Sequence, residues 1–197
     1  MSDRKCELTR KTSETDISIT LNLDGKGNAE VDTGIGFFDH MLKSFAKHGF
    51  FDLELKCNGD LFVDSHHSIE DTGIVLGQAI AKALGDKKGI KRFGSFLLPM
   101  DETLVMCAID LSGRPYLSYD LKLTTPQVGY FDTEMTKEFF YAVSYSAGMN
   151  LHLKQISGEN NHHIIEAAFK AFAKALDEAT SPEPRLSGEV LSTKGSL

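Results

Sequence analysis

A motif that occurs twice constrains this chain more than any other feature of it. His66-His67-Ser68-Ile69-Glu70 returns as His162-His163-Ile164-Ile165-Glu166, an offset of 96 residues in a chain of 197. The text downstream agrees as well, GQAIAKAL ending the first copy at Leu84 and FKAFAKAL the second at Leu176. Self-similarity at half the chain length marks a duplicated unit, so the fold adopted by one half should recur in the other.

The surroundings of each copy fit that reading. GIGFFDHMLKSFAKHG (34–49) places Phe37, Phe38, Met41, Leu42 and Phe45 at the i, i+3, i+4 spacing of an amphipathic helix, and TEMTKEFFYAVSYSAG (133–148) does likewise. Each closes on glycine and is followed by an alternating apolar run, 51–55 and 149–153, then a polar turn and the helix that carries the histidine pair. Extended runs precede the first helix of each half, at 17–23 in one and at 104–111 and 116–123 in the other. The expected fold is therefore α+β, an internal duplication of two similar halves, each a mostly antiparallel four-stranded sheet with two helices on one face. We read residues 1–197 as one domain made of two pseudo-repeats, about 10–90 and about 91–180. No Pro- or Ser-rich linker separates them, so they should share a core. The tail 181–197, SPEPRLSGEVLSTKGSL, reads as irregular.

Charge and cysteine usage exclude several classes. Twenty-eight acidic against 21 basic residues give a net charge of -7, which leaves no broad basic face for nucleic acid. The first sixteen residues lack an apolar leader core, and no run of ~20 apolar residues could span a membrane. Cys6, Cys57 and Cys107 are odd in number and widely spaced, which fits neither a disulfide framework nor a thiolate zinc site and points to a reducing cytoplasm.

The repeated histidines suggest metal. At about 100° per residue, positions i and i+3 or i+4 share a helix face while neighbours diverge. On this reading His67 with Glu70 chelates one ion and His163 with Glu166 another, and a pseudo-twofold arrangement lets His66 and His162 each complete the other half's site. A single such motif is usually a cap or surface feature; two copies at equivalent points have no packing rationale. Imidazole and carboxylate without thiolate suit manganese, iron or zinc. Of the remaining histidines, His40 on the first amphipathic helix is the candidate ligand, and His48 and His152 are read as ordinary side chains.

Six ordered stretches now identify a resemblance: DTGIGFFDHML (32–42), DSHHSIEDTGIVLGQA (64–79), PMDETL (99–104), DLSGRPYL (110–117), GENNHHIIEAAFKAFAKAL (158–176) and STKG (192–195). Together they resemble the imidazoleglycerol-phosphate dehydratases, metal-dependent lyases of histidine biosynthesis, from about Arg10 to Gly195. The resemblance implies one metal site from His40, His67, Glu70 and His162, and a second from His66, His163, Glu166 and a ligand on the second-half helix. Many family members have histidine at that last position, where this chain has Glu138. It further implies two Mn2+ per active site, metal sites formed between subunits, and a homo-oligomeric shell of 24 subunits.

The implied reaction removes water from imidazole glycerol phosphate to give imidazole acetol phosphate. The proton to be lost has no adjacent carbonyl, so electrons must come from the ring, and two ions binding the ring as imidazolate would supply them. Glu14 matches the family's acid/base carboxylate; Glu70 and Glu166 join it as catalytic residues through the ions they hold. Arg92, Arg114, Lys170, Ser192 and Lys194 match the phosphate-binding positions. Two rivals stand beside this reading: a dinuclear metallohydrolase, since paired ions can also generate hydroxide, and a non-catalytic metal-binding assembly.

Overall fold

A computed structural model describes residues 4–197. Two four-stranded sheets each carry two helices, and the helices of one half pack on those of the other. In the first half β1 (Lys5–Lys11), β2 (Thr15–Asn22), β3 (Ala29–Asp32) and β4 (Asp52–Gly59) form a sheet of order β1-β2-β4-β3, with α1 (Gly36–Gly49) and α2 (His66–Leu84) between and after the last two strands. The second half repeats this with β5 (Phe93–Met100), β6 (Thr103–Asp110), β7 (Tyr116–Asp120) and β10 (Asn150–Ser157) in the order β5-β6-β10-β7, and with α3 (Met135–Ala147) and α4 (Asn161–Thr180). A short hairpin of β8 (Gln127–Val128) and β9 (Phe131–Asp132) precedes α3.

Both sheets are mostly antiparallel, with one parallel pair each, β3 on β4 and β7 on β10. The α+β duplication expected from the repeat is thus the observed fold. Alternation explains how each sheet buries one face: Thr15, Ile17, Ile19 and Leu21 on β2, and Thr103, Val105, Cys107 and Ile109 on β6, point inward while their neighbours do not. Three strands were not expected from the sequence. β1 is a polar edge strand, β3 has four residues, and β5 carries Pro99 next to its end.

The core lies between the sheets, in the helical layer. α2 packs against β1 and β2 on one side and α3 on the other, while α4 lies on β5 and β6 and against α1. The α2–α3 approach depends on Gly73 and Gly77: a Cβ would stand 2.9 Å from the Phe139 carbonyl oxygen at the first and 2.6 Å from that of Val143 at the second. An aromatic cluster crosses the duplication boundary. Phe38 of α1 meets Phe139 of α3 edge-on at 5.3 Å, Phe45 stacks on Phe172 of α4 at 5.4 Å, and Phe169 sits 5.0 Å from Phe139 and 4.9 Å from Phe140. The tail contributes only a 3-10 turn at Pro184–Leu186 and lies along Gly89, whose N-H and carbonyl bond Glu189 and Glu183.

Candidate metal centre

The duplication places each histidine pair at the start of a helix, and each helix start is held differently. At α4 the Asn160 side chain caps the helix, accepting from the backbone N-H of His162 at 2.9 Å. At α2 the Asp64 carboxylate accepts the His66 N-H at 2.8 Å, and Ser65 donates to Asp132 at 3.1 Å. Asp132 follows Phe131, which packs on Phe37, and Phe37 in turn meets the His162 ring edge-on at 5.0 Å. This run of contacts joins the two helix starts within one chain.

Three donor side chains converge. His40 from α1 and His162 and Glu166 from α4 bring one ligand atom each within 4.8 Å of one another. His162 Nε2 lies 3.0 Å and His40 Nε2 3.4 Å from the same Glu166 oxygen. Ligands about 2.2 Å from an octahedral ion stand about 3.1 Å apart when adjacent, so these spacings fit two neighbouring edges of a coordination shell. Nitrogen and oxygen donors without sulfur fit manganese or iron. Burial raises the Glu166 carboxyl, but Lys170, whose Nζ is 2.6 Å away, together with His162 and His40, outweighs that and holds it below the ordinary glutamate value. The group is therefore a ready anion.

Within each helix the pairing differs from the one expected. His66 Nε2 approaches Glu70 at 3.6 Å, and His162 approaches Glu166, both at i and i+4. His67 and His163 turn away instead. His67 Nδ1 lies 3.1 Å from Asp60 and His163 Nδ1 2.9 Å from Glu102. Two causes act together: four residues leave a smaller angular offset than three, about 40° against about 60°, and the loop carboxylates draw the second histidine of each pair aside. In the single chain the one group of three side chains able to hold a metal among the described residues accordingly combines Glu166 with His40 and His162, which the family resemblance had distributed over two sites.

The loop carboxylates were not singled out from the sequence. Asp60 opens the β4–α2 connection, and Asp101 and Glu102 form the β5–β6 turn. The hydrogen bond to Asp60 raises the pKa of His67, and that to Glu102 raises His163. Glu102 itself is held well below the usual carboxylate range by His163 and by the N-H of Asn160. A visible signal did exist: Glu14-Thr15 and Glu102-Thr103 each open the second strand of their half.

Glu14 occupies the β1–β2 turn, 3.7 Å from His67 Nε2. Its backbone is fixed, the N-H by Thr12 Oγ1 and the carbonyl by the N-H of Asp60, while its carboxylate takes no hydrogen bond among the described residues. Glu138 stands in the first turn of α3 in a shallow hollow with Leu117, Lys137 and Tyr141, and no cluster of three metal-binding side chains among the described residues includes it.

The residues matched to phosphate binding lie elsewhere, Lys170 excepted. Arg92 grips Asp110 with two nitrogens, at 2.7 and 3.1 Å, and donates to the Leu191 carbonyl at 2.7 Å. Ser192 and Lys194 follow directly, so Arg92 ties down the segment that carries them. Arg114 lies in the β6–β7 loop, with its N-H on Ser112 Oγ, its carbonyl accepting from Asn150, and Gly113 beside it at φ +76°. Arg92 precedes Phe93, which pairs with Asp110 at one end of the β5–β6 hairpin, and Glu102 lies at the other. Seven steps along β6 make that separation roughly 24 Å.

Comparison with known proteins identifies the family. The sequence model of the family described as imidazoleglycerol-phosphate dehydratase matches residues 33–176. Relatives named imidazoleglycerol-phosphate dehydratase include one from Lachnoclostridium phytofermentans, 70% identical over 99% of each chain, and one from Acetivibrio thermocellus, 58% identical over 99% of this chain and 100% of its own. Among solved structures, the dehydratase of Staphylococcus aureus superposes with a TM-score of 0.82 at 40% identity, covering 90% of this chain and 99% of its own. That of Pyrococcus furiosus, in complex with (S)-C348, gives 0.84 at 37% identity over 96% and 100%. A duplicated α+β fold, paired histidine helices and full-length similarity at this level have one reading: the chain belongs to the imidazoleglycerol-phosphate dehydratase family and is a hydro-lyase.

Proposed function

We propose that this chain dehydrates D-erythro-imidazole glycerol phosphate to imidazole acetol phosphate, a step of histidine biosynthesis, with two divalent cations of the manganese type in each active site. The observation that carries the metal reading is the convergence of His40, His162 and Glu166. His66 with Glu70 would supply the second set of donors, joined by His67, His163 and Glu138 from wherever assembly brings them. Bound cations supply Lewis acidity, which lowers the pKa of the azole they touch.

The chain's own groups then have distinct tasks. Glu14 holds a carboxylate free of hydrogen bonds among the described residues, beside His67, so it can take up or return the proton lost from the substrate's carbon chain. Arg114, fixed by its backbone but with a free guanidinium among the described residues, and Arg92 with Ser192 and Lys194, present the planar and point charges that a phosphate requires. Lys170 neutralises Glu166 and stands close enough to exchange it for an anionic ligand.

A substrate of this size cannot bridge roughly 24 Å between the Glu102 end and the Arg92 end of one hairpin. That supports a composite site, the histidine end of one subunit meeting the arginine end of another in an assembly of 24. Phe62 and Tyr130, 91% and 92% exposed, are apolar surface that such contacts would cover. No helix among the described residues is long and apolar enough to cross a membrane. Three free buried cysteines suit a cytoplasmic protein.

Incubation with imidazole glycerol phosphate and manganese, with and without chelator, tests the proposal. Metal-dependent loss of water is the expected outcome. Release of inorganic phosphate would instead favour a metallohydrolase, and bound metal with no turnover a non-catalytic assembly.

A further inference from the structure

The duplication gave each half a hairpin glutamate, and the two have been put to different use. Glu14 and Glu102 occupy equivalent places: each precedes the buried threonine that opens the second strand of its sheet, Thr15 on β2 and Thr103 on β6, and each turn faces the helix that carries its own half's histidine pair. Their surroundings are opposite. The Glu14 carboxylate takes no hydrogen bond among the described residues and only approaches His67 Nε2, at 3.7 Å. The Glu102 carboxylate is saturated. One oxygen receives His163 Nδ1 at 2.9 Å; the other accepts from Thr103 Oγ1 at 3.0 Å, the Asn160 N-H at 3.0 Å and the Glu159 N-H at 3.3 Å.

A carboxylate can only accept, so the nitrogen facing it carries the proton. Glu102 therefore fixes both the tautomer and the ring plane of His163, leaving the lone pair to Nε2, which takes no hydrogen bond among the described residues and which Asp101 approaches only to 3.8 Å. Metal-binding histidines commonly donate their other ring N-H to a carboxylate, and the loss of such a partner costs roughly 10–100-fold in affinity. The first half meets the same need from another place, Asp60 holding His67 Nδ1 at 3.1 Å. That substitution is what leaves Glu14 unencumbered. One ancestral position thus serves as a free proton carrier in one half and as a fixed orienting anion in the other.

Resting on the two-metal reading above, we propose that Glu102 is a positioning residue that presents His163 Nε2 to a divalent cation, while its counterpart Asp60 does the same for His67. Glu102 does not touch substrate in this role. Its removal should weaken metal binding first, with activity lost only as a consequence.

The test is a titration of metal-stripped, full-length protein with Mn2+, following the free-ion electron paramagnetic resonance signal, for the unaltered chain, Glu102→Ala, Glu102→Gln, His163→Ala and the double variant Glu102→Ala/His163→Ala. Glu102→Ala should bind one class of sites roughly 10–100-fold more weakly. Glu102→Gln, which keeps an acceptor for Nδ1-H, should recover most of that loss. In the His163→Ala background, removing Glu102 should cost nothing further, whereas a group that merely braced the turn would cost as much with the histidine absent as with it present. Wild-type affinity in a folded Glu102→Ala, or full additivity in the double variant, overturns the proposal. Failure of the unaltered chain to bind Mn2+ would instead remove the metal reading beneath it.

Discussion

Glu14→Gln is expected to bind as much manganese as the unaltered chain and to turn substrate over about 10²–10⁴-fold more slowly, the range that a positioned proton-transfer group contributes. The reason lies in the turn that holds it. Thr12 Oγ1 and the Asp60 N-H fix its backbone, so an amide at this position sits where the carboxylate did, beside His67, without being able to accept a proton. Metal content by elemental analysis and single-turnover rates on the same sample separate the two effects. Undiminished turnover would take Glu14 out of the chemistry. Loss of metal along with turnover would make it a ligand rather than an acid or base.

The second large effect is on stability. Phe169 is fully buried where α4 meets α3, touching the rings of Phe139 and Phe140, which continue to Phe38 and Phe172. Truncation to alanine leaves a cavity in the layer that both halves share and should lower unfolding stability by about 3–5 kcal/mol. Denaturant unfolding in the presence of chelator is the appropriate measurement, because the metal binding and assembly proposed above would add their own stabilisation. A change below about 1 kcal/mol would show that the helices close over the gap, against the rigid packing that the ring contacts imply.

Legibility in the sequence followed the strength of the local physical signal. α1 and α3 could be read because Phe38, Met41, Leu42 and Phe45, and their counterparts Phe139, Phe140 and Val143, recur at helical spacing and are the residues buried. The central strands β2 and β6 alternate cleanly, since each has one face on the helices and one on solvent. β1, β3 and β5 are edge strands without a clean alternation: β1 is polar, β3 is four residues long and pairs with β4 only across α1, and the apolar residues of β5 run together rather than alternating. At the site, repetition alone exposed the two histidine pairs. It could not say which histidine shares a face with its glutamate, because Asp60 and Glu102 decide that from outside the helices. Glu102 lies 61 positions from His163, beyond the reach of any periodicity argument.

The strand-length gap between the His163 end and the Arg92 end also bears on inheritance. Where two chains furnish one site, a subunit damaged in its imidazoles still offers sound guanidinium groups to its neighbour, and the converse holds. On the composite site proposed above, two alleles that are each inactive alone would therefore restore a share of working sites when expressed together, and complementation between them would map the enzyme's two poles by genetics.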